Sequence, residues 1–333
     1  MSTLQIIAEA GVNHNGDILL AEKLIEAAKT CGANWIKFQA FSPEHLVKPT
    51  AEKAPYQLTD DPTHNQFEML KKYSFCYEQL EHLKNVAKQN QIGFLCSVFD
   101  LVALSWVEKL KIPVIKVPSG EIDHLVLLEN IARLKLPVWL STGISSTNEI
   151  KRAIEILIGG GSPPSELVLL HCHTEYPTQY SDANLLAIPA LRNQFGLPVG
   201  YSDHTEGFIC AVAAVTLGAC IVEKHFTLDR TLPGPDHKAS LDPNGFKELT
   251  TAINDIRSAL GDGIKTPKEA ELKNKTYVRK SIYVSRPVQE GELFTADNLI
   301  CLRPATGKIG PEQWHLILGS RAKRSYKLYE AID

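Results

Sequence analysis

Residues 198–226, PVGYSDHTEGFICAVAAVTLGACIVEKHF, decide the fold. An apolar run at 198–202 ends in Ser202, Asp203 and His204, a helical stretch rich in alanine and valine follows, and a second apolar run at 219–226 carries Glu223, Lys224 and His225. Two such runs joined through a helix read as parallel strands linked by a crossover. Outward from this unit the pattern repeats, with strands expected at about 4–9, 34–40, 92–97, 113–117, 137–141 and 166–172. Eight strands alternating with helices predict an α/β fold closed into a (β/α)8 TIM barrel.

The intervening helices carry the 3.6-residue period. From Ile18 to Cys31, Leu19, Leu20, Leu24, Ile25 and Ala28 are expected on one face, and Gly32 to end the helix. The stretch from about 42 to 76 is long, polar and aromatic (Tyr56, His64, Phe67, Tyr73), the character of a functional loop or lid. A last barrel helix is expected from about 244 to 260. GDGIKTPKEAELKNKTY (261–277) then has the glycine, proline and charge content of a linker. The expected organisation is a catalytic barrel over 1–265, a linker over 266–278 and a small, mostly β module over 279–333.

With 333 residues the chain is longer than a single core usually spans, which fits one large domain plus a small one. A net charge of −3 gives no general basic field, so nucleic acid and anionic membranes are not expected partners, and any anionic ligand must be held by a few local cations. No signal-peptide pattern or membrane-length apolar run is present, and the seven cysteines (31, 76, 96, 172, 210, 220, 301) are scattered without metal-finger spacing, which suits reduced thiols in a cytoplasmic protein.

A barrel of this kind builds its active site at the C-terminal ends of its strands. Here nearly every strand ends in polar residues: Glu9 and Asn13 to Gly16; Lys37 and Gln39; Ser97 and Asp100; Lys116, Ser119 and Glu121; Ser141 and Thr142; His171, His173, Thr174 and Tyr176; Ser202, Asp203 and His204; Glu223, Lys224 and His225, followed by Asp236. Any one of them could be a helix cap or a satisfied buried group. Lys37 (NWIKFQ, 34–39) and Lys116 (IPVIKV, 112–117) follow apolar runs, where an ammonium is costly without an anion, so a phosphate or carboxylate ligand is expected. A lysine paired with a neighbouring strand's carboxylate, or a Schiff-base lysine, is the alternative. The turns VPSGE and LSTG add hydroxyl and N–H donors suited to phosphate. His204 and His225 end adjacent strands about 5 Å apart and can converge on one divalent ion. Substrate oxygens, water or a carboxylate such as Glu9 would complete the shell, which suits Mn²⁺ or Mg²⁺. His14, His171 and His173 are further possible ligands or bases.

With these residues placed, the chain resembles the sialic acid synthase family over almost its whole length. The strings that carry the resemblance are IIAEAGVNHNG (6–16), IKFQAF (36–41), KVPSGEI (116–122), STGISS (141–146), LLHCHTEYPT (169–178), VGYSDHTEGF (199–208), EKHFTLDRTLPGPDHKASLDP (223–243) and, in the tail, RKSIYVSRPVQEGELFTADNLICLRPATGKI (279–309). The tail is similar to the SAF, or antifreeze-like, module. HCHTEYP and CSVFD depart from the family's usual strings at His173, Thr174 and 96–98, without removing a charged position. The resemblance implies condensation of phosphoenolpyruvate with an N-acetylated amino sugar: N-acetylmannosamine giving N-acetylneuraminate first, a 2,4-diacetamido-6-deoxy sugar giving legionaminate as the alternative. It places phosphoenolpyruvate on Lys37, Lys116, Ser119, Ser141 and Ser202 with Thr174 beside it, and a divalent metal (Mn²⁺ first, Mg²⁺ or Co²⁺ also suitable) on His204 and His225 as Lewis acid for the sugar aldehyde. It places the sugar on Glu9, Tyr176 and Asp236, and makes Glu9, Glu121 and Glu223 the catalytic carboxylates. It also implies a homodimer in which Arg303 reaches the partner's barrel. Rival expectations are another phosphoenolpyruvate-using or aldol-forming barrel, and a carbohydrate- or ice-binding protein.

Overall fold

Eight parallel strands close on themselves in chain order, β1 pairing with both β2 and β8. They are Gln5–Gly11 (β1), Trp35–Ala40 (β2), Gly93–Val98 (β3), Ile115–Val117 (β4), Val138–Ser141 (β5), Leu167–Cys172 (β6), Val199–Asp203 (β7) and Ile221–His225 (β8). The computed structural model describes residues 4–53 and 65–333. Around the barrel lie Ile18–Thr30 (α1), Pro43–Leu46 (α2), Gln66–Tyr73 (α3), Tyr77–Gln89 (α4), Leu101–Lys109 (α5), Leu125–Arg133 (α6), Thr147–Gly159 (α7), Ala187–Phe195 (α8), Ile209–Thr216 (α9) and Pro243–Leu260 (α10). Tyr56 and His64 lie outside the described residues. No described helix is long and apolar enough to cross a membrane.

Local chemistry explains the helix ends. The Asp17 carboxylate caps α1 by accepting from Leu19 N at 2.8 Å, and Gly32 at φ +90° turns the chain out. The buried face of α1 is Ala21, Leu24, Ile25 and Ala28, while Leu19 is 61% exposed. That corrects the expected face: Leu19 stands two residues from Ala21, about 200° round the helix. Ser146 and Glu149 form a reciprocal capping box at the start of α7.

The bottom of the barrel is plugged by aromatic rings. Trp35 on β2 and Trp139 on β5 belong to strands that are not neighbours, yet meet edge to face at 5.9 Å, so they meet inside. Trp35 donates to Gln5 Oε1 at 2.8 Å. Gly93 makes room for this ring, since a Cβ there would stand 2.1 Å from it.

On the outer side of β7 and β8, Asp203 and Lys224 form an ion pair at 3.0 Å with both side chains 0% exposed. Asp203 Oδ1 also accepts from the Thr205 N–H and hydroxyl. Both residues stood among the strand-end candidates. The register that sets Asp203 against Lys224 turns them toward the helical layer, while Ser202, His204, Glu223 and His225 line the cavity. Lys224→Met leaves the Asp203 carboxylate buried without its counter-charge and is expected to destabilise the protein by about 3–5 kcal/mol. Urea unfolding checks this, and an unchanged midpoint would contradict it.

The second compact unit, Asp262–Asp333, has its own core of Ile282, Val284, Val288, Phe294, Leu299, Ala322, Tyr326 and Ile332. Its strands Ser281–Val284 and Leu299–Leu302 pair antiparallel. The stretch expected as linker carries two single-turn helices, Glu269–Leu272 and Lys275–Val278, and groups with the tail because Ala305 N donates to Thr276 O at 2.7 Å. Arg303 is exposed on this unit.

Candidate active site

A cavity of about 410 Å³ opens at the C-terminal ends of the strands. Glu9, Lys37, Lys116, Ser119, Glu121, Ser141, Thr174, Tyr176, Ser202, His204, Glu223, His225 and Asp236 all line it, so the barrel residues expected to bind phosphoenolpyruvate, sugar and metal fall in one place. Its size lies in the range of small-molecule sites.

The floor is ionic and buried, with Glu9, Lys37, Lys116 and Glu223 all nearly inaccessible. Lys37 Nζ sits 3.2 Å from Glu9 Oε2 and 3.2 Å from Glu223 Oε1, and donates to Ser97 Oγ at 2.8 Å. The neighbouring-strand pairing weighed for a buried lysine therefore holds for Lys37. Lys116, 2% exposed, is different: Nζ bonds only neutral oxygens, Ser141 Oγ at 2.6 Å and Val117 O at 3.3 Å, with no carboxylate in ion-pair range among the described residues. Burial pulls its pKa down to about 8, against the pull of Glu223 and helped by Lys37. This ammonium is the unmatched charge of the site, and an anion entering the cavity would satisfy it.

The two buried carboxylates are driven apart. Burial raises Glu9 to about 7, with Lys37 only partly opposing. For Glu223 burial acts in the same direction, but Lys37, Lys116 and the Ser202 hydroxyl, 2.9 Å away, overcome it and hold the group down to about 2. One shared ammonium fully stabilises one carboxylate, and the one beside a second lysine keeps the charge. Burial also raises Glu121, with His124 at 2.8 Å opposing, and raises Asp236 to about 6.

Beside this floor Ser119 Oγ accepts from Gly143 N at 2.9 Å and lies 3.2 Å from Cys172 Sγ. A Cβ on Gly143 would fall 2.7 Å from Thr174 Cγ2 and 2.8 Å from Ser119 Oγ, so only glycine lets the LSTG turn approach this closely.

His204 and His225 lie 5.5 Å apart between ring centroids, near enough for both to reach a single ion. His204 Nδ1 contacts the His173 carbonyl, which can only accept. Nδ1 therefore carries the proton and Nε2 keeps its lone pair. His225 Nδ1 and Glu223 Oε2 are buried without hydrogen-bond partners, Glu9 Oε2 has the Lys37 ammonium at 3.2 Å, and Asp236 Oδ2 stands 3.9 Å from His225 Nδ1. A Cβ on Gly11 would lie 3.4 Å from Asp236 and Glu9 oxygens and 3.5 Å from His225, so these groups converge over a residue that has no side chain to fill the space. No three of His, Cys, Asp and Glu form a ready cage among the described residues. Two imidazoles with Glu9 and Asp236 oxygens converging beside them nevertheless fit a divalent ion that leaves positions for substrate.

Several candidates fall elsewhere. His14 stacks on Phe75 at 4.0 Å and accepts from Gly16 N, a structural role. His171 bonds Ala183 O at 2.9 Å and, with His173, lines a separate cavity. Asp100 caps α5 by accepting from Ala103 N, and Thr142 bonds Leu170 O. Tyr176 packs 4.2 Å from the His204 ring. The 42–76 stretch, in which Tyr73 was singled out, does reach the cavity; what sequence reading missed is the wall that Gln66, Met69 and Leu70 form there with Tyr73 on α3. Their i, i+3, i+4, i+7 spacing was the available signal.

The ionic floor, the paired imidazoles and the glycine-pinned turn can be set against known proteins. The NeuB family model matches residues 24–265 and the SAF domain model residues 279–327. The chain belongs to the NeuB family. This NeuB chain is 44% identical to the N,N'-diacetyllegionaminic acid synthase of Campylobacter jejuni over 333 residues, covering all of this chain and 99% of that one. It is 44% identical to the Legionella pneumophila protein of the same name over 322 residues, 96% of this chain and 90% of that one. Among solved structures, the N-acetylneuraminic acid (sialic acid) synthetase of Leptospira borgpetersenii in complex with citrate matches with a TM-score of 0.72 at 35% identity, over 82% of this chain and 90% of that one.

Proposed function

We propose that this nonulosonic acid synthase condenses phosphoenolpyruvate with 2,4-diacetamido-2,4,6-trideoxymannose and water to give N,N'-diacetyllegionaminate and phosphate. The observation that carries the reading is Lys116, a buried ammonium without a carboxylate, in one cavity with His204 and His225. Substrate choice leans on the two relatives at 44% identity, both legionaminic acid synthases by name. N-acetylmannosamine, the first expectation from sequence, becomes the alternative.

In this mechanism Lys116, Ser119, Ser141 and Ser202, with Thr174 beside them, hold the enolpyruvyl phosphate. Lys37 stays clamped between Glu9 and Glu223 and fixes the floor. A divalent ion on His204 and His225, Mn²⁺ in preference to Mg²⁺ or Co²⁺, would supply Lewis-acid polarisation of the sugar aldehyde. The C=C π pair of phosphoenolpyruvate forms the bond from its methylene carbon to the aldehyde carbon while the aldehyde C=O π pair moves to oxygen, which takes a proton. Water adds to the carbon bearing the phosphate ester and loses a proton, and phosphate departs with the C–O bonding pair as the remaining hydroxyl gives up its proton to leave the keto acid. Glu223 remains a carboxylate and stabilises the positive charge that develops at that carbon. Glu9, held near 7, exchanges protons at working pH, with Glu121 at the rim as a second acid or base. Tyr176 and Asp236 orient the sugar.

Phosphate release from phosphoenolpyruvate, measured with each sugar in Mn²⁺ and in EDTA, tests the reading. Release with the diacetamido sugar and Mn²⁺ only is expected, and no release with either sugar would reject it. Because Lys116 binds an anion only while protonated, kcat/KM for phosphoenolpyruvate is expected to be present below pH about 8 and to fall with a slope of about −1 above it. A profile flat from about pH 7 to 9.5 would count against Lys116.

The proposal extends to a homodimer in which exposed Arg303 serves the sugar site of a second copy. Mixing Lys116→Met and Arg303→Ala proteins is then expected to restore activity, since one site type in the hybrid has both residues. Mixtures no better than the separate variants would refute it.

A further inference from the structure

The cavity has two chemically different halves. Charged and hydroxyl groups gather on the floor and on the β4 to β8 side. Across from them Val12, Phe41, Met69 and Tyr73 form a small apolar cluster separate from the barrel core, with Leu46, Leu70 and Phe99 packed on it. All seven also line the cavity. Phe41 and Met69 are 1% and 2% exposed and make the wall firm, while Leu46, Leu70 and Phe99 are half-buried and present carbon to the open space. Among the described residues the polar atoms of this wall are those of Gln66 and the Tyr73 hydroxyl.

We infer that this wall, through Leu46, Leu70 and Phe99, is the specificity element for the sugar: it receives the deoxygenated end of the acceptor and rejects a hydroxyl there. The inference rests on the substrate reading above and deepens it. The aldehyde end of the acceptor must lie beside the imidazoles and the phosphoenolpyruvate floor, so the far end of a six-carbon chain is directed to the other half of the cavity. A C6 methyl is at home against leucine and phenylalanine carbons. A C6 hydroxyl in the same place gives up its water hydrogen bonds and finds no partner on carbon, a loss of about 10–100-fold in kcat/KM. Gln66, one helical turn before Leu70, can pair with an acetamido amide.

The test needs no variant to begin. With the native protein, phosphoenolpyruvate and Mn²⁺, kcat/KM is measured for the diacetamido-trideoxy sugar, for its 6-hydroxy counterpart and for N-acetylmannosamine. The 6-hydroxy counterpart is expected to be about 10–100-fold poorer than the deoxy sugar. Leu46→Gln and Leu70→Gln, at half-buried positions, are expected to narrow that ratio about tenfold each. Leu70→Met, which keeps the wall apolar, is expected to restore the native ratio. Equal use of the deoxy and 6-hydroxy sugars by the native protein overturns the inference whatever the variants do. A native preference that survives both glutamine variants, with melting temperatures unchanged, also overturns it by placing the discrimination elsewhere. Better use of N-acetylmannosamine than of either diacetamido sugar would instead bring down the substrate reading, and this inference with it.

Discussion

Lys116→Met is expected to cut kcat/KM for phosphoenolpyruvate by about 30- to 5,000-fold without weakening the fold. The first half of that expectation comes from the charge on the ligand. A buried ammonium bonded only to Ser141 Oγ and a backbone carbonyl would be the principal counter-charge for an incoming phosphate or carboxylate. Removing one member of such a desolvated pair costs about 2–5 kcal/mol of binding. The second half comes from what the ammonium costs when the cavity holds no anion. Replacing a buried, unmatched charge by an apolar side chain of similar length is neutral or stabilising. Steady-state kinetics and thermal unfolding on the same sample check both halves. Full activity, or a large fall in melting temperature, would mean that Lys116 is a structural residue.

Alanine at His204 or His225 is expected to have an effect of similar size by another route. Each imidazole would supply one of the two nitrogen donors of the proposed ion site, and no group of three His, Cys, Asp or Glu among the described residues forms a cage that would keep an ion without them. Loss of the proposed ion would forfeit several kcal/mol of Lewis-acid assistance, about 10³-fold or more in turnover. The accompanying sign is a loss of Mn²⁺ binding, seen as a returning free-ion signal in electron paramagnetic resonance. Unchanged Mn²⁺ affinity in both variants would move the metal elsewhere.

The barrel was legible because buried parallel strands write themselves as apolar runs, and because the rim chemistry falls at the end of each run. Which polar residue of a run faces the cavity was legible in principle from the two-residue strand period: Ser202 and His204 face in with Glu223 and His225, and Asp203 and Lys224 between them face out. The difference between the two lysines was not. Lys37 acquires its carboxylates only because β1 closes against both β2 and β8, a consequence of barrel closure that no local stretch contains. The apolar wall was hidden for a different reason. The 42–76 stretch is polar in average composition, and the few apolar positions that matter become a surface only when α3 forms and sets Met69 and Leu70 beside Gln66.

An enolpyruvyl anion and a divalent ion are proposed to occupy this one cavity together. Phosphorus NMR of phosphoenolpyruvate titrated into the protein with and without Mn²⁺ tests that claim most directly, because a paramagnetic ion broadens only nearby nuclei. Strong Mn²⁺-dependent broadening of the bound phosphorus signal is expected in the native protein, with its loss in the His204→Ala, His225→Ala double variant. A bound phosphorus signal indifferent to Mn²⁺ in the native protein would contradict the account.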